Sequence, residues 1–144
     1  MGKIDISNIK ISALKEIDVE GGAVMHAMKK SDIGFNGFGE AYISTVNPGC
    51  IKACKIHTQM TMNLIVPIGK VMFAFIDSSS SHRSEVIGED NYSRITVPPG
   101  IWFGFKGISS VSSIILNIAS IEHSSNEIKR KDLDDMNFNW EVLN

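Results

Sequence analysis

The chain has 144 residues, which is enough for one domain with a hydrophobic core and too few for two domains of ordinary size. Hydrophobic residues make up 43% of it and the mean hydropathy is +0.04, which excludes an intrinsically disordered chain. The formal net charge is −2 and the longest basic run is "KRK" at 129–131, so nucleic acid is not an expected partner. We expect a single domain over residues 1–144, whose N-terminal part, up to about residue 40, forms extra strands or a dimer arm.

Neither a membrane nor a disulfide framework is expected. No apolar run approaches the ~18 residues that a membrane-spanning helix needs, and the N-terminal "MGKIDISNIK" is polar and alternating. Two cysteines in a chain of this length do not suggest a disulfide scaffold. We expect a cytoplasmic protein with reduced thiols.

The first half of the chain predicts short strands. "DISNIKIS" (5–12) alternates apolar and polar residues, and "GGAVMHAMKK" (21–30) fits either a strand or a helix. "EAYISTV" (40–46) is rich in β-branched and aromatic residues and ends at the turn "NPG", and "IKACKIH" (51–57) alternates again.

The second half continues this pattern with apolar segments that end at Pro, Gly or Ser, namely "NLIV" before "PIGK", "VMFAFID", "RITV" before "PPG", and "SVSSIILNIAS". Both alternating faces of "VMFAFID" (71–77) are apolar, which predicts burial on both sides, in a sandwich interior or between subunits. "SSSSHRSE" (78–85) is expected to be a solvated loop. In "SSNEIKRKDL" (124–133), Ser124 and Glu127 have capping-box spacing, which predicts a short C-terminal helix.

Many short strands with turn signals every ~8–12 residues predict an all-β sandwich or barrel. In the strand 51–57, alternate residues share a face, and that face is polar: Ala53, Lys55, His57 and Gln59. Such a stripe faces either solvent or a wet cavity. The opposite face carries Cys50, Lys52, Cys54 and Ile56. Because the cysteines and the histidine lie on different faces, we expect no zinc site, and we interpret both cysteines as small core residues.

Two motifs resemble those of cupin barrels. The first is "G-x7-H-x-Q-x3-N-x5-G", from Gly49 to Gly69, and the second is "VPPGIWFGF". More narrowly, "KIHTQ" resembles the Gly-Leu-His-x-Gln segment of the dTDP-4-dehydrorhamnose 3,5-epimerase family, and "VPPGIWFGF" resembles its Ile-Pro-Pro-Gly-x-x-His-Gly-Phe segment. "IASIEHSSNE" and "LDDMNFNW" resemble two later segments, so the resemblance covers roughly residues 40–140. It implies a cupin-type double-stranded β-helix, or jelly-roll barrel, with a short C-terminal helix.

The residue types in these motifs argue against a metal. Cupins that bind metal present His-x-His, then Glu, then a last His, and the corresponding residues here are His57, Gln59, Asn63 and Phe103. One imidazole and two neutral amides would hold a divalent transition metal weakly. We therefore expect no metal and no cofactor, as the resemblance to the epimerase branch also implies.

The resemblance implies that His57 is a general base. In the family, this histidine removes a proton from the carbon next to the 4-keto group of a nucleotide-linked 4-keto-6-deoxy sugar, a task that suits the near-neutral pKa of imidazole. A carboxylate near the closing Trp orients the ring. The candidates for it are Asp134 and Asp135, of which we favour Asp135.

The chain also departs from the family. The family's phosphate-binding Arg corresponds to Cys54, for which Lys55 or Lys52 is a substitute, and its enolate-holding Lys falls near Met62. The family's proton-donating Tyr falls near Asn117, which leaves Tyr42, Tyr92 and His123 as donors. Trp102 either stacks on the substrate or packs in the core. The expected substrate-binding residues are Lys55, Gln59, Asn63, Trp102, Phe103, Asn117 and His123.

These observations leave alternative functions open. The first is a metal-independent epimerase or keto-isomerase of a nucleotide-linked sugar. The second is a non-catalytic cupin that binds a sugar or nucleotide sugar, which the missing Tyr, Lys and Arg equivalents favour. A purely structural or partner-binding role is the third. Nucleotide sugar is the expected ligand, and the two apolar faces of 71–77 together with the resemblance suggest a homodimer.

Overall fold

The structure is a computed structural model that describes residues 3–141. Residues 1, 2 and 142–144, which the predicted domain includes, lie outside the described part. Within residues 3–141, twelve strands and three short 3-10 turns account for the regular structure. The strands are β1 (Lys10–Ala13), β2 (Glu16–Val19), β3 (Gly22–Met25), β4 (Glu40–Val46), β5 (Ile51–His57), β6 (Met62–Ile68), β7 (Lys70–Ile76), β8 (His82–Gly88), β9 (Ser93–Val97), β10 (Trp102–Gly107), β11 (Ser113–Ala119) and β12 (Ile128–Arg130).

Two five-stranded antiparallel sheets form the barrel. Sheet I has the order β1-β9-β6-β11-β4, and sheet II has the order β12-β5-β10-β7-β8. The strands β2 and β3 form a separate exposed hairpin. This all-β arrangement confirms the predicted cupin jelly roll. The inner faces of the two sheets build one core, in which Phe73, Phe75 and Ile95 are fully buried.

Strand β7 is buried on both faces, as its sequence predicts. On the inner face, Phe73 and Phe75 enter the core between the sheets. On the outer face, Ala74 and Ile76 pack with Met136 and its neighbours in the C-terminal segment, among them Phe138 and Trp140. The chain thus covers the outer face of β7 itself, so this face gives no argument for a dimer, and the homodimer stays a prediction.

The predicted C-terminal helix over 124–133 is wrong. A 3-10 turn at Ser125–Glu127 leads directly into β12, which pairs antiparallel with the edge of β5, and a second 3-10 turn follows at Leu133–Met136. The side chain of Ser124 makes no capping bond. The carboxylate of Glu127 is instead buried against β5, where it bonds to His57. This tertiary contact overrides the local preference of the segment for a helix.

The structure also decides two other local predictions. Of the expected loop 78–85, only the first part is irregular, because β8 begins at His82 and pairs with β7. The ambiguous segment 21–30 contains the strand β3 and no helix. The residues after β3 are held by the buried side chain of Arg94, whose Nη1 donates to the carbonyl oxygen of Ala27 at 2.8 Å.

Among residues 3–141, no helix has the length and apolar character needed to cross a membrane.

The alternation of faces in β5 breaks at one point. The register between β5 and β10 shifts between Phe103 and Gly104. At this point the consecutive residues Ala53 and Cys54 both pack with Met136 and the outer face of β7. A Cβ at Gly104 would lie 2.5 Å from the Cβ of Ala53, so the bulge requires glycine there. Cys54 is a buried core residue as predicted, whereas Cys50 is exposed, so its interpretation as a core residue is wrong.

Replacing Phe73 by alanine tests the core between the sheets. The ring is 0% exposed, so its loss should lower the free energy of unfolding by about 3–5 kcal/mol, as for other buried Phe→Ala substitutions. Urea denaturation of the wild type and the variant measures this difference.

Phe38→Ala is the matched control, because Phe38 is 57% exposed and its truncation should change stability by about 0.5 kcal/mol or less. Equal losses in the two variants would contradict the assignment of Phe73 to the core.

Candidate functional site

A cavity of about 630 Å³ opens between the inner faces of the two sheets. Sheet I contributes Tyr42 and Ser44 from β4, Met62 and Leu64 from β6, and Ile115 and Asn117 from β11. Sheet II contributes residues 52–55 of β5 with Phe103 and Phe105 of β10, and residues 130–132 form the rim. The volume is in the usual range for a small-molecule site.

His57 lies at the end of β5 and is paired with a carboxylate. Its Nδ1 is 2.5 Å from Oε2 of Glu127, and both side chains are at most 2% exposed. The other carboxylate oxygen, Oε1, accepts the backbone N–H groups of Gln59 at 3.1 Å and Met60 at 3.0 Å. The carboxylate is therefore fully bonded and holds the imidazole in one orientation.

The buried environment keeps this pair ready to accept a proton. Burial lowers the pKa of His57 below its ordinary value of 6.5, and the hydrogen bond and charge of Glu127 offset this only in part. Burial by itself would raise the pKa of Glu127, but the hydrogen bonds from His57, Met60 and Gln59 outweigh it and lower that pKa. An ionised Glu127 requires a proton on Nδ1, so Nε2 carries the free lone pair.

The ring of His57 stacks on Phe103, with centroids 5.9 Å apart and an interplanar angle of 19°. Phe103 belongs to the cavity wall, whereas His57 lies behind that wall. Among the described residues, none provides a hydrogen-bond partner for the buried Nε2 of His57. The imidazole of His57 is thus next to the cavity, covered by Phe103, and without a hydrogen-bond partner on Nε2 among the described residues.

Positive charge collects at the side of the cavity next to β12. Lys55 faces inward with Nζ 5.8 Å from the ring centroid of Phe103, and Arg130 of β12 lies opposite it in register. Burial lowers the pKa of Lys55, and the neighbouring charge of Arg130 adds to this. Within residues 3–141, no carboxylate lies within ion-pair distance of Lys55 or Arg130. This arrangement suits an anionic ligand.

On the opposite sheet, a tyrosine faces the cavity beside an asparagine. Tyr42 of β4 and Asn117 of β11 are direct partners in the antiparallel register, and Asn117 Nδ2 donates to Tyr42 Oη at 2.9 Å. Burial raises the pKa of Tyr42, and the charges of Glu40 and Glu127 act in the same direction. Sheet I thus presents a protonated phenol to the space beside Phe103.

The carboxylate partner predicted for His57 is wrong. Asp134 and Asp135 are exposed on the 3-10 turn Leu133–Met136, and Glu127 takes the position next to the imidazole. The sequence signal for Glu127 was its capping-box spacing after Ser124, which indicated a helix instead. A carboxylate seventy residues away can be assigned to His57 only when the pairing of β12 with β5 is known.

The structure brings three of the seven expected binding residues to the cavity wall, namely Lys55, Phe103 and Asn117. The side chains of Gln59 and His123 are outside it and exposed. Asn63 is buried, with its amide bonded to Gly34 and Thr96.

Trp102 packs on the outer face of sheet II, where Lys131 Nζ lies 4.4 Å from its ring centroid, so the core-packing alternative holds for it. Lys52 reaches the cavity but donates to the carbonyl oxygen of Thr45.

Within residues 3–141, no three His, Cys, Asp or Glu side chains come together in a way that could hold a metal ion.

The chain is similar in sequence and structure to several known proteins. No protein-family model matches the chain. A dTDP sugar isomerase from Desulfovibrio desulfuricans G20 is 31% identical, with a TM-score of 0.87 over 92% of this chain and 90% of that one. A dTDP-6-deoxy-D-glucose-3,5-epimerase from Legionella pneumophila Philadelphia 1, solved with dTDP-4-keto-L-rhamnose, shares the fold at 15% identity and a TM-score of 0.81, over 95% of this chain and 80% of that one.

Among curated proteins, a probable low-salt glycan biosynthesis epimerase of Haloferax volcanii is 27% identical over 84 residues. That match spans 54% of this chain and 54% of the relative, which is about half the length of each.

The protonation state of His57 can be read directly by NMR. We expect its titration midpoint below 6.5 and, at neutral pH, a proton on Nδ1 with Nε2 unprotonated, because burial outweighs the carboxylate. In Glu127→Gln the midpoint should fall further, since the charge that opposes the burial effect is gone. ¹⁵N shifts of the imidazole nitrogens over a pH series measure both.

A midpoint above 6.5, or a proton on Nε2 at neutral pH, would contradict this description of the pair. Glu122→Gln is the matched control, because Glu122 is an exposed carboxylate close in sequence and its loss should leave the His57 midpoint unchanged.

Proposed function

This chain belongs to the cupin family of dTDP-sugar isomerases and dTDP-4-dehydrorhamnose 3,5-epimerases, and from that premise we propose that it is an epimerase or keto-isomerase of a nucleotide-linked 4-keto-6-deoxy sugar. His57 is the general base of this reaction. The single observation that carries the proposal is the buried His57–Glu127 pair beside a sugar-sized cavity, in which the described residues give His57 Nε2 no hydrogen-bond partner.

The cavity offers a place for each part of such a substrate. The diphosphate binds beside Lys55 and Arg130, whose charges have no carboxylate partner among residues 3–141. The sugar lies against the ring of Phe105, whose apolar face suits the C–H groups of a deoxy sugar.

The chemistry is a proton transfer next to a ketone. Nε2 of His57 takes the proton from the carbon adjacent to the 4-keto group, and the electron pair of that C–H bond moves to the carbonyl oxygen as an enolate. Glu127 stabilises the imidazolium that forms, by the same logic as the aspartate of a Ser-His-Asp triad. In this proposal Lys55, whose Nζ lies 5.8 Å from the ring centroid of Phe103, also provides positive charge for the enolate oxygen.

Access to Nε2 requires a side-chain movement. His57 is 2% exposed, and Phe103 both stacks on its ring and forms part of the cavity wall. In this proposal the sugar displaces Phe103 on binding, which also removes water from the reacting atoms.

The cover over Nε2 also favours a second candidate function, a non-catalytic cupin that binds a nucleotide sugar. In that case the same cations and aromatic walls hold the ligand, and Phe103 stays in place. Binding without proton exchange distinguishes this candidate from the enzyme.

Deuterium wash-in tests the base. The wild type incubated with dTDP-4-keto-6-deoxyglucose in D2O should incorporate label at C3 or C5, and His57→Asn should lower the rate of incorporation by roughly 100-fold or more, since an amide cannot accept the proton. ¹H NMR of the sugar follows the loss of each signal.

His26→Asn is the matched control and should exchange like the wild type, because His26 is exposed near the β2–β3 hairpin and away from the cavity. Wild-type protein that shifts its melting temperature with this sugar nucleotide but incorporates no label would support the binding module and reject the enzyme for this substrate.

Replacing Arg130 by glutamine tests the anion site. Loss of one charge-assisted hydrogen bond of about 1.5 kcal/mol should weaken dTDP binding roughly tenfold. Isothermal titration calorimetry with dTDP measures the dissociation constants.

Lys129→Gln provides the matched control. Lys129 precedes Arg130 in β12, so its side chain points to the other face of that strand, and its register partner is Ile56. The substitution should leave the affinity for dTDP unchanged. An equal loss of affinity in both variants would mean that general positive charge, and not the cavity rim, holds the nucleotide.

A further inference from the structure

Tyr42 lines the cavity from one sheet, and His57 lies behind the cavity wall on the opposite sheet. Tyr42 lies on β4 of sheet I, and His57 lies on β5 of sheet II, behind Phe103. We propose that Tyr42 is the proton donor of an epimerisation, which delivers a proton to the sugar from the side opposite to His57. This inference rests on the proposed function.

The hydrogen bonds around Asn117 leave the phenolic proton of Tyr42 available. Asn117 Oδ1 accepts the backbone N–H of Asn63 at 3.1 Å, so the orientation of its amide is determined and Nδ2 must point to the phenol. Tyr42 Oη therefore accepts from Asn117 and keeps its own O–H for another acceptor. Its other polar neighbour is the thioether of Met60 at 3.9 Å, which is a weak acceptor.

Met60 connects the phenol to the base. The backbone N–H of Met60 donates to Oε1 of Glu127, and Glu127 holds His57, while the Met60 sulfur contacts both Tyr42 and Asn117. Met60 thus contacts the phenol directly and is linked to the imidazole through Glu127, although Tyr42 and His57 belong to different sheets. A sugar ring placed between the sheets presents one face to each of them.

The other candidate donors are excluded by position. The chain has two tyrosines, and Tyr92 donates its hydroxyl proton to the carbonyl oxygen of His26, near the β2–β3 hairpin. His123 is exposed and is not part of the cavity wall. Asn117 reaches the cavity, but an amide is too weak an acid to protonate carbon. Asn117 is a positioning residue whose hydrogen bond also stabilises the phenolate that forms.

The reaction needs only the substrate, His57, Tyr42 and solvent protons. His57 removes the proton from the carbon next to the ketone, and the enolate forms. The enolate electron pair then takes the phenolic proton of Tyr42 on the opposite face of that carbon, so the carbonyl returns and the configuration inverts. Imidazolium and phenolate regain their resting states by proton exchange with solvent, and no atom is oxidised or reduced.

Tyr42→Phe separates the two half-reactions. This variant keeps the ring and removes the acid, so His57 still removes the proton and returns a deuteron to the same face. We expect deuterium incorporation into recovered dTDP-4-keto-6-deoxyglucose in D2O to continue within about threefold of the wild-type rate, while formation of the epimer falls by roughly 100-fold or more. NMR distinguishes labelled substrate from labelled epimer through the ring proton couplings.

Tyr92→Phe is the matched control and should form the epimer at the wild-type rate, because its hydroxyl lies away from the cavity. Epimer formation by Tyr42→Phe at more than a tenth of the wild-type rate overturns the assignment of Tyr42 and leaves His57 as the base. Loss of both exchange and epimerisation in a Tyr42→Phe variant that melts like the wild type also overturns it. Absence of exchange in the wild type is a failure of the proposed function itself.

Discussion

The site depends on one buried carboxylate. Glu127 accepts His57 Nδ1 and the N–H groups of Gln59 and Met60, and its own carbonyl oxygen accepts the N–H of Thr58 at 2.8 Å. These bonds join the end of β5, the turn after it and the C-terminal segment at a single point. A buried charge this well bonded is tolerated, whereas removing it would leave several donors unsatisfied. The contact that orients His57 therefore also organises the local backbone.

The C-terminal segment follows from that contact. Because Glu127 is bonded to the end of β5, the next residues, Ile128–Arg130, pair with β5 as an added edge strand. This pairing places Arg130 at the cavity rim. Further along, Met136 covers the outer face of β7 and contacts Cys54. Arg130 at the cavity rim and the His57–Glu127 pair are thus positioned by one pairing, so a change that releases β12 would disturb both.

The two-sheet architecture supplies the rest of the site. Side chains that face inward from opposite sheets approach a bound ring from two sides, which is the geometry that inversion at a carbon requires. The resemblance to the epimerase family puts that family's tyrosine near Asn117, where this chain has an asparagine. The neighbouring strand carries Tyr42 in register with that position, so a phenol is still next to the cavity although it comes from β4. The asparagine then orients the phenol.

The sequence by itself determined the fold class, the strands Glu40–Val46 and Ile51–His57 and the double burial of β7, because periodicity and turn residues are local signals. It also gave His57 as the candidate base through its motif. Only the tertiary structure decided that Glu127 rather than Asp134 or Asp135 is its partner, since contacts across seventy residues have no local signature. Alternation places Trp102 and Phe103 on opposite faces, but which face meets the cavity depends on how the two sheets pack.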